Sequence, residues 1–105
     1  MKIAIMQPYF MPYIGYFQLI NAVDKFVILD DVNFINRGWI NRNNILINGK
    51  PGLITIPLIE ASQNKKIVDI SIVQDSNWKN KILKTIELSY KKAPFFNRAF
   101  SWLNE

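Results

Sequence analysis

The chain opens with two short apolar runs separated by a helix-like segment, a pattern that predicts a strand–helix–strand unit. Residues 2–6 (apolar after Lys2) and the apolar residues 26–29 are of strand length and ended by turn-forming residues, which is typical of buried strands. Residues 13–22 between them are expected to form a short helix. The residues expected on its buried side are Phe17, Leu19 and Ile20. Short connections in such a unit imply parallel strands and a right-handed crossover.

The middle of the chain alternates polar loops with strand-like runs. Residues 32–44 are polar and lack periodicity, so we predict a long functional loop there. Residues 45–47 and 53–56 flank Asn48-Gly49, a strong hairpin signal. Because Lys50-Pro51-Gly52 follows, we expect a connection longer than two residues.

The last third predicts a strand and two helices. Residues 60–66 form a polar loop, and residues 67–73 alternate in polarity as a strand with one polar face does. Apolar residues at four-residue spacing then predict an amphipathic helix, capped by Asp75 or Ser76. These apolar residues are Trp78, Ile82, Ile86 and Tyr90. A final helix is expected over residues 95–103.

Together these elements predict an α/β fold with a partly parallel sheet. It opens with the strand–helix–strand unit, followed by a β-hairpin and two C-terminal helices, in a single domain over residues 1–105. The chain has neither cysteine nor histidine. This excludes disulfides, Ser-His-Asp triads and Cys- or His-ligated metals, so acid–base chemistry must use Asp, Glu, Lys or Tyr. No apolar run approaches the ~20 residues of a membrane span and no signal peptide is recognisable, so we expect a cytoplasmic protein.

The net charge of +5 is concentrated in one predicted helix. Residues 79–98 carry six basic side chains and one acidic side chain. Such a stripe usually keeps a helix face soluble. An alternative hypothesis is a non-catalytic RNA-binding or protein-partner module that uses the lysine-rich helix 79–92. The chain has no helix-turn-helix, RRM or zinc signature, so nucleic acid recognition is not expected.

Candidate chemistry lies where the two predicted strands end. After the first strand, residues 6–16 read MQPYFMPYIGY, with two prolines, a glycine and four aromatic residues. A strand, a loop and a helix in this order form the usual ligand position of α/β folds. Asp30 and Asp31 follow the second strand and could act as a base, a Mg²⁺ ligand or a partner of sugar hydroxyls. The alternative is a strand-end turn, where Asp is common.

Two polar segments add candidate ligand-binding residues. Arg37 and Arg42 offer donors for phosphate, and Trp39 between them offers a flat face for a sugar or base, or else an anchor in the core. Gln63 and Asn64 lie in a polar loop that could be a surface loop or a lid. The sequence leaves the metal, the cofactor and the oligomeric state open.

Several motifs resemble those of the WbqC-like protein family. They are IMQPYF at residues 5–10, PYIGYFQLI at residues 12–20, DDV at residues 30–32, RGWINR at residues 37–42 and SQN at residues 62–64. The resemblance runs from residue 1 to about residue 96. It implies a bacterial protein involved in surface-polysaccharide (O-antigen) biosynthesis that acts on a nucleotide-linked or amino sugar. Acyl or aminoacyl transfer is one reaction it suggests. Members are generally longer, which implies that this chain corresponds to the N-terminal part of the family domain.

The residues and the resemblance together define the candidate site. The candidate catalytic residues are Asp30, Asp31, Tyr13 and Tyr16. The candidate substrate-binding residues are Gln7, Arg37, Trp39, Asn41, Arg42, Gln63 and Asn64. A third hypothesis, besides the enzyme and the binding module, is an inactive fragment that associates through its phenylalanine-rich C-terminus.

Overall fold

The structure, a computed structural model, describes all 105 residues and groups them into two compact units. The first unit comprises residues 1–43 and 55–73, and the second comprises residues 44–54 and 74–105. The fold is mixed α/β, with parallel and antiparallel strand pairs and three α-helices, as the sequence pattern predicts. No helix combines the length and the apolar composition needed to cross a bilayer.

The predicted strand–helix–strand unit is confirmed. Strand β1 (Ile3–Met6) and strand β2 (Lys25–Ile28) pair in parallel, and helix α1 (Ile14–Ala22) connects them. The pairing begins where the Lys2 backbone N–H donates to the Asp24 carboxylate at 2.8 Å. It continues past β2, because the Leu29 N–H donates to the Met6 carbonyl at 2.8 Å.

The expectation that both strands are buried is wrong. Ile3, Ile5 and Val27 are each about half exposed. Side chains alternate between the two faces of a strand, and in this two-stranded sheet these three belong to the same face. The other face is covered in part: the Phe26 ring meets the Tyr16 ring of α1 edge-on at 5.4 Å between centroids, whereas Ile28 at the end of this face is 55% exposed.

The inward side of helix α1 differs in part from the one predicted. Leu19 is half-buried as expected, but Phe17 and Ile20 are exposed, and Tyr16, at 7% exposed, is the buried residue of the helix. Its hydroxyl lets Tyr16 pack its ring on Phe26 and still satisfy its polar atom, because the hydroxyl bonds to a nearby carbonyl. A prediction from the positions of apolar residues alone does not identify an amphipathic tyrosine as the buried residue.

The hairpin is confirmed, but its turn is shorter than expected. Strand β3 (Arg42–Ile47) and strand β4 (Lys50–Thr55) are joined by Asn48 and Gly49 alone. Both turn residues have positive φ, 52° and 76°, which is the type I′ geometry that matches the twist of paired strands. Pro51 therefore lies within β4. A proline is tolerated there because each strand of a two-stranded hairpin has an open edge.

The predicted strand over residues 67–73 is a 3₁₀ turn (Ile67–Asp69) followed by a two-residue strand β6 (Ser71–Ile72). The Ile67 and Val68 N–H groups donate to the carbonyls of Val32 and Asp30, both at 2.9 Å. These bonds fix the start of the turn beside the end of β2. Strand β6 pairs antiparallel with strand β5 (Leu58–Ile59), which the sequence pattern did not predict.

The second unit contains helix α2 (Asn77–Tyr90) and helix α3 (Phe96–Leu103). The predicted apolar stripe of α2 is confirmed, with Ile86 buried and the α2 lysines exposed. The N-cap residue is Ser76, whose side chain makes no capping bond; instead the carboxylate of Asp75, one residue earlier, accepts the Asn77 N–H at 2.9 Å. Within this unit the Leu46 N–H donates to the Tyr90 hydroxyl at 2.7 Å, which fixes α2 against β3.

Candidate functional site

Tyr16 anchors the loop that follows β1. Its hydroxyl donates to the Gln7 carbonyl at 2.7 Å, and its ring lies 5.7 Å from the Tyr9 ring. Burial, and secondarily the nearby Tyr9 phenol, raise the pKa of Tyr16 above its ordinary value. Tyr16 is therefore a neutral hydrogen-bond donor at physiological pH and not a base.

A second set of bonds holds this loop against the polar segment after β2. The Phe10 N–H donates to the Trp39 carbonyl at 3.1 Å. The Asn43 amide nitrogen donates to the carbonyls of Phe10 and Met11, at 3.2 and 2.7 Å. Met11 adopts a left-handed backbone with φ 48°. Asn43 thus satisfies two consecutive carbonyls of a sharp turn, and fixes its shape.

The two segments enclose an aromatic cavity of about 250 Å³. It is lined by Tyr9, Pro12, Tyr13, Trp39 and Asn43. The Tyr13 ring lies over Gly15, where a Cβ would clash with it. Gly15 therefore allows Tyr13 to reach the cavity wall. Aromatic faces of this kind suit the flat side of a sugar or a nucleobase.

Arg42 is fixed by the backbone of its own loop. Its Nε donates to the Gly38 carbonyl at 3.1 Å, and its Nη2 donates to the Arg37 carbonyl. Its guanidinium lies 5.8 Å from the centre of the Trp39 ring, a cation–π distance. A guanidinium carries five N–H donors, so donors remain for a ligand after these bonds.

Arg42 and Arg37 line a polar cavity of about 410 Å³. Asn36, Asn41 and Thr55 contribute further polar groups to its wall. Arg37 has φ 58°, so its backbone is left-handed and its exposed side chain leaves the loop at the turn. Two guanidinium groups in one cavity favour an anion such as a phosphate or a carboxylate.

Asn41 also lines an adjoining apolar cavity of about 200 Å³. It is bound twice to Ile56: the Ile56 N–H donates to the Asn41 carbonyl at 2.7 Å, and the Asn41 side-chain amide donates to the Ile56 carbonyl at 2.9 Å. This pair therefore forms a fixed wall shared by the polar and the apolar cavities.

Five of the candidate residues line these cavities. Arg37, Asn41 and Arg42 line the polar cavity, and Tyr13 and Trp39 line the aromatic one. None of the three cavities is lined by the other six, which are Gln7, Tyr16, Asp30, Asp31, Gln63 and Asn64.

The candidate carboxylates lie at the end of β2. Asp30 is half-buried, and its backbone carbonyl accepts the Val68 N–H at 2.9 Å, whereas Asp31 is exposed. No group of three carboxylates is placed to hold a metal ion. Gln63 and Asn64 are exposed in a turn in which the Ser62 hydroxyl accepts the Asn64 N–H at 3.1 Å.

Comparison with known proteins identifies the family. Residues 7–105 match the model of the WbqC-like protein family. The chain belongs to the WbqC-like protein family. It is 31% identical, over 102 residues, to "Uncharacterized protein Rv1507c" from Mycobacterium tuberculosis. The aligned region covers 97% of this chain and 44% of that relative, so the chain spans less than half of the relative's length. No solved structure matches the chain.

Within this WbqC-like chain, the structure adds residues that sequence reasoning did not select. Tyr9, Asn36 and Asn43 line the cavities beside the predicted residues. Asn43 stands next to Arg42 and belongs to the same asparagine-rich run. Its role depends on β3 beginning at Arg42, because the strand carries the Asn43 side chain to the Phe10 and Met11 carbonyls. The enrichment in asparagine was the available signal, but it did not distinguish one asparagine from another.

Proposed function

We propose that the protein is the N-terminal part of an enzyme that acts on a nucleotide-linked or amino sugar in bacterial surface-polysaccharide biosynthesis. The proposed reaction is acyl or aminoacyl transfer to that sugar. The observation that carries the proposal is the convergence of Arg37, Asn41 and Arg42 on one cavity of about 410 Å³. Such a cavity offers guanidinium and amide groups to a ligand that is both anionic and rich in oxygen.

The arginines would bind the phosphates of the nucleotide. Arg42 is held by the carbonyls of Gly38 and Arg37, so little conformational entropy is lost when its remaining donors bind a ligand. Arg37 is exposed and free to close on a second phosphate oxygen. Hydrogen bonds to charged groups contribute about 1.5–3 kcal/mol each, which makes these two residues the main source of affinity.

The aromatic cavity would hold the flat part of the ligand. Trp39 lines this cavity, and its ring contacts the Arg42 guanidinium, which lines the polar one. A ligand with phosphates at Arg42 would therefore have a ring system within reach of Trp39 and Tyr13. The chain lacks histidine and cysteine, so a carboxylate is our candidate for the base, with Tyr13 as a hydroxyl donor. Asp30 and Asp31 line none of the three cavities, so either of them would have to reach the ligand from outside the cavities.

Thermal unfolding in the presence of ligands tests this proposal. A ligand that binds the folded state alone raises the unfolding midpoint by mass action. We expect a nucleotide sugar, with or without Mg²⁺, to raise the midpoint of the wild type. Arg37→Ala should lose this shift, since it removes a donor group from the polar cavity. Arg98→Ala, which removes an exposed arginine of α3, is the matched control and should keep it.

Two results would contradict the proposal. The first is a cooperative unfolding transition that no nucleotide sugar or sugar phosphate moves at saturating concentration. The second is a shift of equal size in the wild type and in Arg37→Ala, which would place the binding site elsewhere.

The lysine face of α2 supports a second candidate function, a non-catalytic RNA-binding or partner module. Lys79, Lys81 and Lys84 are exposed, and none of them forms an ion pair. Electrostatic binding to RNA would weaken steeply with salt and would be lost when Lys81 and Lys84 are replaced by glutamine. Binding to single-stranded RNA, measured between low and moderate salt, separates the two functions. A flat salt response would rule the module out.

A further inference from the structure

A mainly apolar cavity adjoins the polar cavity that Arg37 and Arg42 line. Its volume is about 200 Å³, and its apolar walls include Ile40, Ile67, Ile70 and Ile72. Both cavities share a set of wall residues, which are Phe34, Asn41, Ile56 and Leu58. The two spaces therefore adjoin along a shared wall, with guanidinium groups lining one and isoleucines lining the other.

The apolar wall is built by short-range backbone bonds. In the 3₁₀ turn the Ile70 N–H donates to the Ile67 carbonyl at 3.1 Å. Residues three apart in a 3₁₀ turn lie on the same side, and Ile67 and Ile70 both line the cavity. The exposed Val68 between them does not. Hydrogen bonds to the Val32 and Asp30 carbonyls hold this 3₁₀ turn in place, so the wall exists before any ligand binds.

Asn41 supplies a polar group where the two cavities meet. Its side-chain nitrogen donates to the Ile56 carbonyl, and its side-chain oxygen forms no hydrogen bond within the chain. No buried side-chain polar atom of the structure lacks a partner, so this oxygen is open to solvent or to a ligand. The two cavities together therefore offer guanidinium donors, an amide acceptor and an aliphatic surface.

We propose that the two cavities act as one amphipathic site that binds the acyl group of the donor substrate, a short aliphatic acyl phosphate. Its phosphate leaves when the amino group of the sugar attacks the acyl carbonyl and gives up a proton, and a plain carboxylate is its unreactive analogue. The chain would occupy the apolar cavity, and its anionic end would lie in the polar cavity beside the nucleotide phosphates, where the two guanidinium groups have donors for both anions. Apolar cavities of roughly 150 Å³ bind a molecule as large as benzene, so this cavity suits a chain of about four to six carbons. The inference rests on the proposed transferase function and names the class of its donor.

The first experiment varies chain length. Straight carboxylates from acetate to decanoate are titrated into the full chain at constant ionic strength, with binding followed by NMR. Burying a methylene contributes enough free energy to tighten binding about fourfold. We expect this gain with each added carbon up to about six carbons, and none beyond. Affinity that does not depend on length in the wild type would overturn the inference.

Two variants of one residue and a neighbouring control locate the effect. Ile70→Phe fills the cavity and should abolish the dependence on chain length, whereas Val68→Phe, at an exposed position of the same turn, should retain it. Ile70→Ala enlarges the cavity and should move the preferred length upward, which tests the site even if Ile70→Phe fails to fold. Length dependence that is unchanged in Ile70→Ala would overturn the assignment of this cavity.

A matched pair of ligands distinguishes an acyl from an aminoacyl donor. Leucine and 4-methylpentanoate differ by the α-amino group alone. The open oxygen of Asn41 can accept an N–H from that group, so tighter binding of leucine that is lost in Asn41→Ala indicates an aminoacyl donor. Equal binding of the pair indicates a plain acyl donor. Failure of both ligands to bind would overturn the inference.

The inference and the proposed function fail in different ways. Inorganic phosphate probes the polar cavity alone. If phosphate and nucleotide sugars raise the unfolding midpoint but carboxylates bind without length dependence, the acyl site is wrong and the proposed function stands. If carboxylates show the length dependence but no nucleotide sugar binds, the acyl site stands and the sugar substrate is wrong.

Discussion

Replacing Tyr16 by phenylalanine removes one hydroxyl and leaves the ring in place. The hydroxyl donates to the Gln7 carbonyl at 2.7 Å, and the ring keeps its contacts with Tyr9 and Phe26. A typical hydrogen bond contributes about 0.5–1.5 kcal/mol, and a buried acceptor left without a partner costs about 1–3 kcal/mol. Gln7 is half-buried, so water can partly replace the lost donor. We therefore expect a loss of about 1–2 kcal/mol in the free energy of unfolding.

Urea and thermal denaturation followed by circular dichroism measure this loss. For a domain of this size a change of 1 kcal/mol lowers the melting temperature by about 4–8 °C, so the variant should unfold roughly 5–15 °C earlier. Tyr13→Phe is the matched control, because Tyr13 is 72% exposed and its hydroxyl bonds to no group of the chain. That variant should stay within about 0.5 kcal/mol of the wild type.

The free energy of unfolding measured at alkaline pH provides a second test of the role of the Tyr16 hydroxyl. Burial, with Tyr9 as the smaller cause, raises the pKa of Tyr16 in the folded protein above the value of the unfolded chain. The neutral phenol is therefore favoured by folding, and its contribution is complete below about pH 10, the ordinary tyrosine value. It is lost as the pH rises through the raised pKa. The stability difference between the wild type and Tyr16→Phe should shrink there.

One result would refute this reasoning. If Tyr16→Phe is as stable as the wild type and its stability above pH 10 follows the same curve, the hydroxyl does not anchor the loop. Tyr16 would then be available for the catalytic role that the sequence suggested.

Three further substitutions test other parts of the structure. Gly15→Ala should keep or slightly raise the free energy of unfolding, because alanine favours a helix by about 1 kcal/mol over glycine. Its Cβ would displace the Tyr13 ring, so ligand binding in the aromatic cavity should weaken. Unchanged binding would argue against Tyr13 as a wall of that cavity. Asn43→Ala removes both hydrogen bonds to the carbonyls of Phe10 and Met11. It should lower the free energy of unfolding, measured in urea, by about 1–3 kcal/mol and speed amide hydrogen exchange in β3. Unchanged exchange would contradict the anchoring role of Asn43. In Gly49→Ala the new Cβ meets no neighbouring atom, but the alanine backbone must adopt φ 76°. The free energy of unfolding should therefore fall by about 1–2 kcal/mol. Lys50→Ala, which has no such backbone constraint, serves as the control.

The sequence determined the elements that depend on local periodicity. The stripe of α2 repeats every four residues, so its inward side followed from helix geometry alone. The strand–helix–strand unit followed from two apolar runs joined by a short helix, and its parallel pairing is present as predicted. Asn48-Gly49 determined the hairpin because these residues tolerate positive φ.

The wrong predictions concern features that depend on distant residues. The turn of the hairpin is shorter than expected because Pro51 can lie in a strand with an open edge. Residues 67–69 form a 3₁₀ turn because the Val32 and Asp30 carbonyls take their first N–H groups. The strands β1 and β2 have an exposed face because no third layer covers the sheet. None of these three features can be read from the pattern of apolar and polar residues within one segment.

The candidate site divides in the same way. Arg37, Trp39, Asn41 and Arg42 lie within six consecutive residues, so the sequence alone determined that guanidinium, amide and aromatic groups occur together. The tertiary structure decided which of them face a cavity, because the carbonyls of Gly38, Arg37 and Ile56 orient Arg42 and Asn41. It also decided that an apolar cavity adjoins them, since its walls come from segments far apart in the chain. Composition within a loop is a local property, whereas cavity walls form only when distant segments pack together.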